Sequence, residues 1–202
     1  MSILIACEES QAVTKAFRAK GYETYSCDLQ DCSGGHPEWH IKGDCVPVIK
    51  SRFWDLIVFH PECTYMAVSG NRWYGRGMPK HHKRLEAIEW TVSTWSLIKK
   101  HSDKAAMENP ISVIFSQPEM NNHQYVQPWW FGHKAFKATG FELYGLSNLI
   151  PTDKLIPPKK GTEEYKKWSF IHRMPPCPER SKLRSKTFPG IADAMAGQWG
   201  CL

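Results

Sequence analysis

Residues 54 to 66 read WDLIVFHPECTYM, and Leu56-Ile57-Val58-Phe59 within them form a continuous apolar run of strand length. A run that is apolar at every position is what a strand covered on both faces of a parallel sheet requires. Pro61 then turns the chain and Cys63 follows at the strand's end. In open α/β sheets the groups that meet ligands stand at the carboxyl ends of the strands. A thiol there reads either as a nucleophile facing a cleft or as a small buried hydrophobe, the commoner fate of free cysteine.

Working outward, the N-terminal run Ser2 to Cys7 is a second apolar strand, broken by Glu8-Glu9-Ser10. A helix is predicted next, with Ala12, Val13, Ala16 and Phe17 on one face, Lys15, Arg18 and Lys20 largely on the other, and Gly21 as its stop. Tyr22 to Cys27 alternates as a strand that ends in Asp28. Strand, helix, glycine and strand ending in an acid open a βαβ unit, in which such an acid accepts hydrogen bonds from ribose hydroxyls; a surface Asp that starts a turn is the alternative. Residues 31 to 45 read as a polar loop ending in Gly43-Asp44. The loop holds Cys32, His36, His40 and Cys45, residue types that bind zinc, but without the close C-x-x-C pairing of structural sites, so no metal is expected.

Residues 46 to 53 suit a short helix. Beyond Cys63, Ser69 to Gly77 interleaves glycine, Arg72, Arg76 and aromatics and reads as a mobile loop able to contact phosphate, or simply as a solvated one. His82 to Lys100 is the clearest helix, and its stripe of Leu85, Ile88, Val92 and Trp95 is expected in the core. Lys104 to Met107 leads as a strand into Glu108-Asn109-Pro110. Asn121 to His133, with Trp129-Trp130, has no assignable pattern; Phe141 to Leu149 suits a strand, and Pro189 to Gly200 a closing helix. Between them, residues 151 to 187 are rich in Lys, Arg and Pro and read as an extended basic segment that lies along a phosphate backbone or merely solubilises the surface.

The totals fit one domain of 202 residues, 42% hydrophobic and 23% charged, in the range of ordinary globular proteins. A balance of 26 Lys and Arg against 20 Asp and Glu, +6 net, suits a polyanionic partner without requiring one. Seven cysteines without a disulfide spacing, and no signal-like start, lead to the expectation of a reducing cytoplasm. No apolar run is long enough to span a bilayer.

Glu8 or Glu9, Asp28, Asp44, Cys63 and Glu108 thus follow consecutive predicted strands, and in a doubly wound, mostly parallel Rossmann-like sheet those ends converge on one crevice. In this order the chain resembles the DNA cytosine-C5 methyltransferases, and more closely the small phage-encoded proteins similar to them. LIACEESQAV is similar to the family's cofactor motif, Asp28 to its ribose-binding acid, and Gly43-Asp44 to the acid that meets the adenine amino group. HPECT resembles the Pro-Pro-Cys motif, Glu108-Asn109-Pro110 the Glu-Asn motif, and PGIADAMAGQWG the closing motif beside the cofactor. The resemblance implies S-adenosylmethionine as cofactor, held by Cys7, Glu8, Ser10, Asp28, Asp44 and Pro61. It implies Cys63 as nucleophile with Glu108 and Asn109 at the base, and Ser69, Arg72, Lys134 or Lys137 toward DNA.

Three features depart from the family. Residues 7 to 12 contain no glycine, Glu62 stands where a second Pro is usual, and no target-recognition domain is present, so that residues 151 to 187 alone are left for that task, with or without a specificity partner. Two other readings stay open. HPECTY is also a distorted Asp/Asn-Pro-Pro-Tyr loop of an amino-group methyltransferase, with Tyr65 stacking on the base; the glycine-free turn suits a nucleic-acid-binding protein on a methyltransferase fold. On the cytosine reading, burial is expected to raise the Glu108 pKa, and Trp73 or Trp129-Trp130 to fill the gap left by a flipped base.

Overall fold

The computed structural model describes residues 1–175 and 180–200. Among them seven strands form one sheet: β1 (Ser2–Ala6), β2 (Glu23–Asp28), β3 (His40–Lys42), β4 (Leu56–Phe59), β5 (Ala105–Pro110), β6 (His123–Val126) and β7 (Thr139–Tyr144). Their order is β3-β2-β1-β4-β5-β7-β6; the first five run parallel, and β7 lies antiparallel to both β5 and β6. The chain reverses its direction of travel across the sheet between β1 and β4, so a crevice opens at their carboxyl ends.

The apolar runs explain why the central strands are buried on both faces. Ile3, Ile5, Leu56, Val58 and Ala106 point to one core, with Val13 and Phe17 of α1 (Ala12–Ala19) and Ile191, Met195 and Trp199 of α8 (Pro189–Trp199). Leu4, Ala6, Ile57, Phe59, Ala105 and Met107 point to the other, with Ile49 of α2 (Cys45–Lys50) and Trp95 and Ile98 of α4 (His81–His101). Alternate residues of each strand thus serve opposite layers, as the period of two demands.

Five expectations need correction. The loop at 31–45 contains β3, held by its pairing with β2 although its three residues carry no alternation. The pattern-free stretch after Asn121 contains β6, an edge strand with only Val126 fully buried. Ser69 to Gly77 is not an open loop: a 3-10 turn, Val68–Gly70, leads into α3 (Asn71–Tyr74). In α4 the stripe is rotated from the expected one, since Leu85 is 54% exposed while Arg84, Thr91 and Thr94 are buried. Finally, residues 151–187 are not extended throughout. They include α5 (Glu163–Trp168), α6 (Phe170–Arg173) and α7 (Arg180–Ser185), and buried Trp168 packs on Phe136 with a ring separation of 5.5 Å. Residues 176–179 of that segment lie outside the described residues. No described helix is long and apolar enough to cross a membrane.

Candidate active site

The turn that carries Cys63 is fixed from several directions. The His60 N–H donates to the Ala6 carbonyl at 2.9 Å, continuing the β1–β4 pairing one residue past the strand. Buried Pro61 presents its carbonyl to the Asn109 amide, which donates from Nδ2 at 3.1 Å. The Cys63 carbonyl then accepts from Met66 and Ala67, closing a tight turn. Arg84, buried in α4, clamps the segment from Tyr65 to Asn71, donating to the Tyr65 carbonyl at 2.6 Å, the Ala67 carbonyl at 3.2 Å and Asn71 Oδ1 at 2.8 Å. Sequence reading missed Arg84 because it sits beside the apolar stripe; an arginine one position off a helix's buried face was the available signal.

Four charged or ionisable groups meet at this turn. Burial pushes the Cys63 thiol up, the Glu108 carboxylate pushes it further, and Lys137 opposes both. Glu108, at the end of β5, is contacted by His60 with Nδ1 3.1 Å from Oε2. Burial pushes the Glu108 carboxyl up, but the hydrogen bond and charge of His60, with the charge of Lys137, outweigh it and hold the carboxyl below its usual range. The expected rise is thus reversed, because the hydrogen bond from His60 and the charges around the carboxyl outweigh its burial. Lys137 is itself pushed down by burial against the pull of Glu108 and Cys63, and donates to the Lys186 carbonyl at 3.0 Å. Lys137, rather than exposed Lys134, is the lysine whose field acts on Cys63 and Glu108.

At the other end of the crevice the glycine-free turn uses left-handed backbone without glycine. Cys7 has φ 61° and Gln11 φ 55°, a conformation that costs on the order of 1 kcal/mol for such residues. Buried Gln11 is held by donating to the His36 carbonyl and Ser26 Oγ, and by accepting from the His36 N–H. Gly34 packs on it so closely that a Cβ there would lie 2.4 Å from the Gln11 Cβ. Glu8 caps α1: its carboxylate accepts from the Val13 and Thr14 N–H groups and from the Thr14 hydroxyl at 2.7 Å. Ser10 Oγ accepts from Ala12 at 3.4 Å.

Asp28 ends β2 with Oδ1 accepting from Gln30, and exposed Asp44 caps α2 through Oδ1. Both carboxylates act on Cys27, whose thiol is pushed, by burial above all, up to about 12. Asp28 also raises Cys7, whose Sγ is 3.8 Å from that of Cys45. Beside them, Gly43 opens onto free space. Carboxylates at the ends of neighbouring elements beside open space suit the hydroxyl and amino donors of an adenosyl group. The α1 N-terminus does not suit an amino acid carboxylate, because Glu8 already takes its N–H groups.

No protein-family profile and no curated protein matches the sequence. Among solved structures, the Entamoeba histolytica methyltransferase EhMeth matches with a TM-score of 0.53 at 10% identity, over 77% of this chain and 57% of that one. The two chains share a fold. The Dnmt2 methyltransferase of S. pombe also aligns, at TM-score 0.48 and 10% identity, over 73% of this chain and 51% of its own. The chain therefore spans little more than half the length of these two proteins.

On this fold the remaining candidates are dispersed. Ser69 and Arg72 are exposed, Arg72 lying over the ring of exposed Trp73. Trp130 packs on the core, and Trp129 stands edge-on to it with Lys154 above. No cluster of metal-binding side chains occurs among the described residues. His36 stacks on Trp39, and both ring nitrogens of His40 are engaged, by Ser26 and by the Gln30 carbonyl. A shallow surface depression is lined by Lys15, Arg18, His36 and Trp39.

Proposed function

We propose that the chain is an S-adenosylmethionine-dependent methyltransferase acting on C5 of cytosine in DNA through a covalent adduct at Cys63. The observation that carries the reading is the meeting of Cys63, Glu108 and Lys137 at the carboxyl ends of β4 and β5. C5 of cytosine is a poor nucleophile, and a thiolate adding to C6 turns the ring into an enamine. Cys63 supplies that thiolate. Glu108 holds N3 and the exocyclic amine, and once it shares a proton with N3 its charge no longer raises Cys63, so base binding itself favours the thiolate. Asn109 holds the Pro61 carbonyl and so the turn. Asp28 and Asp44 would hold the adenosyl part of S-adenosylmethionine, which supplies a methyl group activated by its sulfonium. The basic segment at 151–187 would take the place of a target-recognition domain against the DNA backbone.

One observation favours a second reading, a nucleic-acid-binding protein without catalysis: Glu8 and Gln11 fill the turn where a cofactor's amino acid part would lie. The amino-group reading gains no such support, since Tyr65 is packed edge-on to Tyr74 at 5.0 Å. DNA containing 5-fluorocytosine decides, because fluorine cannot leave C5 as a proton and the adduct is trapped. Incubation with S-adenosylmethionine is expected to give a protein–DNA adduct by mass, absent in Cys63→Ala. If no adduct forms and calorimetry detects no cofactor binding, the second reading stands instead.

A further inference from the structure

The His60–Glu108 pair holds more than the cytosine chemistry uses. His60 follows β4 directly, and the register Phe59 to Met107 sets it level with Glu108 on the neighbouring parallel strand. The two side chains are 11% and 12% exposed, with Nδ1 and Oε2 3.1 Å apart. A contact of that length between a ring nitrogen and a carboxylate oxygen needs a proton between them. The other ring nitrogen, Nε2, is buried without a hydrogen-bond partner, and so is Asn109 Oδ1. Buried polar atoms are normally paired, so an unpaired Nε2 on the ring that contacts the Glu108 carboxylate is an exception that calls for a role. The charge facing the pair is Lys137, from the stretch before β7, and Cys63 lies within the same field; Glu62 acts in turn on Cys63 and Arg184 on Lys137.

We propose that His60 is the positioning residue for Glu108 and stores the proton that Glu108 passes to N3 of the bound cytosine. The proposal rests on the methyltransferase reading. The working pair is imidazolium and carboxylate, with one proton shared between Nδ1 and Oε2. When the Cys63 thiolate forms the S–C6 bond, the C5=C6 pair moves to C4–C5, the C4=N3 pair moves onto N3, and N3 takes the shared proton. His60 is left neutral with its remaining proton on Nε2. The C4–C5 pair then bonds the methyl carbon as the bond from that carbon to the donor's sulfur breaks with its pair left on sulfur, and the N3 pair re-forms C4=N3. C5 next gives its proton to water, the freed pair re-forms C5=C6, the C6–S pair returns to the Cys63 sulfur, and N3 returns its proton to the pair. Charge balances at each stage.

The pair is tested first in the protein alone. NMR titration should show the His60 ring keeping its proton to higher pH in the wild type than in Glu108→Gln, with the other histidines unmoved; equal titration overturns the proposal. His60→Asn, which keeps an N–H donor near the place of Nδ1 but cannot titrate, then separates proton storage from orientation. Single-turnover methylation at saturating cofactor and DNA is expected to fall about a hundredfold in His60→Asn, with the alkaline inflection of the wild type gone and cofactor affinity unchanged. A wild-type rate and pH profile in His60→Asn overturns the proposal, since orientation alone then suffices. Wild-type protein that does not methylate overturns the methyltransferase reading and with it the destination of the proton, while the titration still decides whether the pair shares one.

Discussion

Cys63 and Glu108 oppose each other in the free protein. Burial and the Glu108 carboxylate both favour the thiol over the thiolate, and Lys137 works the other way. Reactivity of Cys63 toward iodoacetamide is therefore expected to keep rising through pH 9, its ordinary titration range. Removing the negative charge in Glu108→Gln lowers the thiol pKa, so alkylation at a fixed mildly alkaline pH should speed up. Removing the positive charge in Lys137→Met raises it, so alkylation should slow. A shift of one pH unit changes the thiolate fraction about tenfold, and severalfold changes are expected here because Cys63 is not completely shielded. Mass spectrometry of the Cys63 peptide isolates this thiol from the other cysteines. Equal rates in the three proteins would show that the groups do not share one field.

Among the elements, α4 does more for the site than its length suggests. Its Arg84 is the buried donor to two carbonyls and one amide oxygen of the segment after Cys63. Arg84→Met keeps much of the apolar stem and leaves those acceptors unpaired, at a cost of about 3 kcal/mol. Chemical denaturation is expected to show that loss, and limited proteolysis to find new cleavage between Cys63 and His81; unchanged cleavage would mean that the turn holds itself. The same helix shows what patterning can and cannot tell. Strands β1 and β4 were legible as unbroken apolar runs, β2 by its alternation, and helix α1 and the closing helix by apolar residues at helical spacing. Arg84 was not, since a guanidinium satisfied by distant carbonyls leaves no periodic trace. β3 and β6 were equally silent: three half-exposed residues and a polar edge strand owe their conformation to their partners. At the site, Cys63, Glu108 and Asp28 could be read from strand ends, whereas the lowered Glu108 carboxyl required His60 and Lys137 to be seen beside it.

Across the whole molecule the sheet brings distant segments to one edge. Lys137 donates to the Lys186 carbonyl, and Phe136 beside it packs on Tyr165 and Trp168, so the basic segment is fastened to the stretch that borders Cys63. Its charge is less available than the sequence suggests. In α5, Lys166 is paired with Glu163 and Lys167 lies 3.9 Å from Glu164, two helix pairs that largely cancel in the field felt by a polyanion. Lys159 and Lys160 are exposed and precede these pairs. If this segment tracks a DNA backbone, each lysine that displaces a counterion contributes about 0.9 to the slope of log affinity against log salt on duplex DNA. Lys159→Gln with Lys160→Gln is therefore expected to reduce that slope by about two, and Lys166→Gln with Lys167→Gln to leave it nearly unchanged. Fluorescence anisotropy across a salt series measures both. Equal losses from the two double variants would mean that net charge alone governs binding; no loss from either would move the DNA contact to another face, where Arg72, Trp73 and Lys83 become the residues to change.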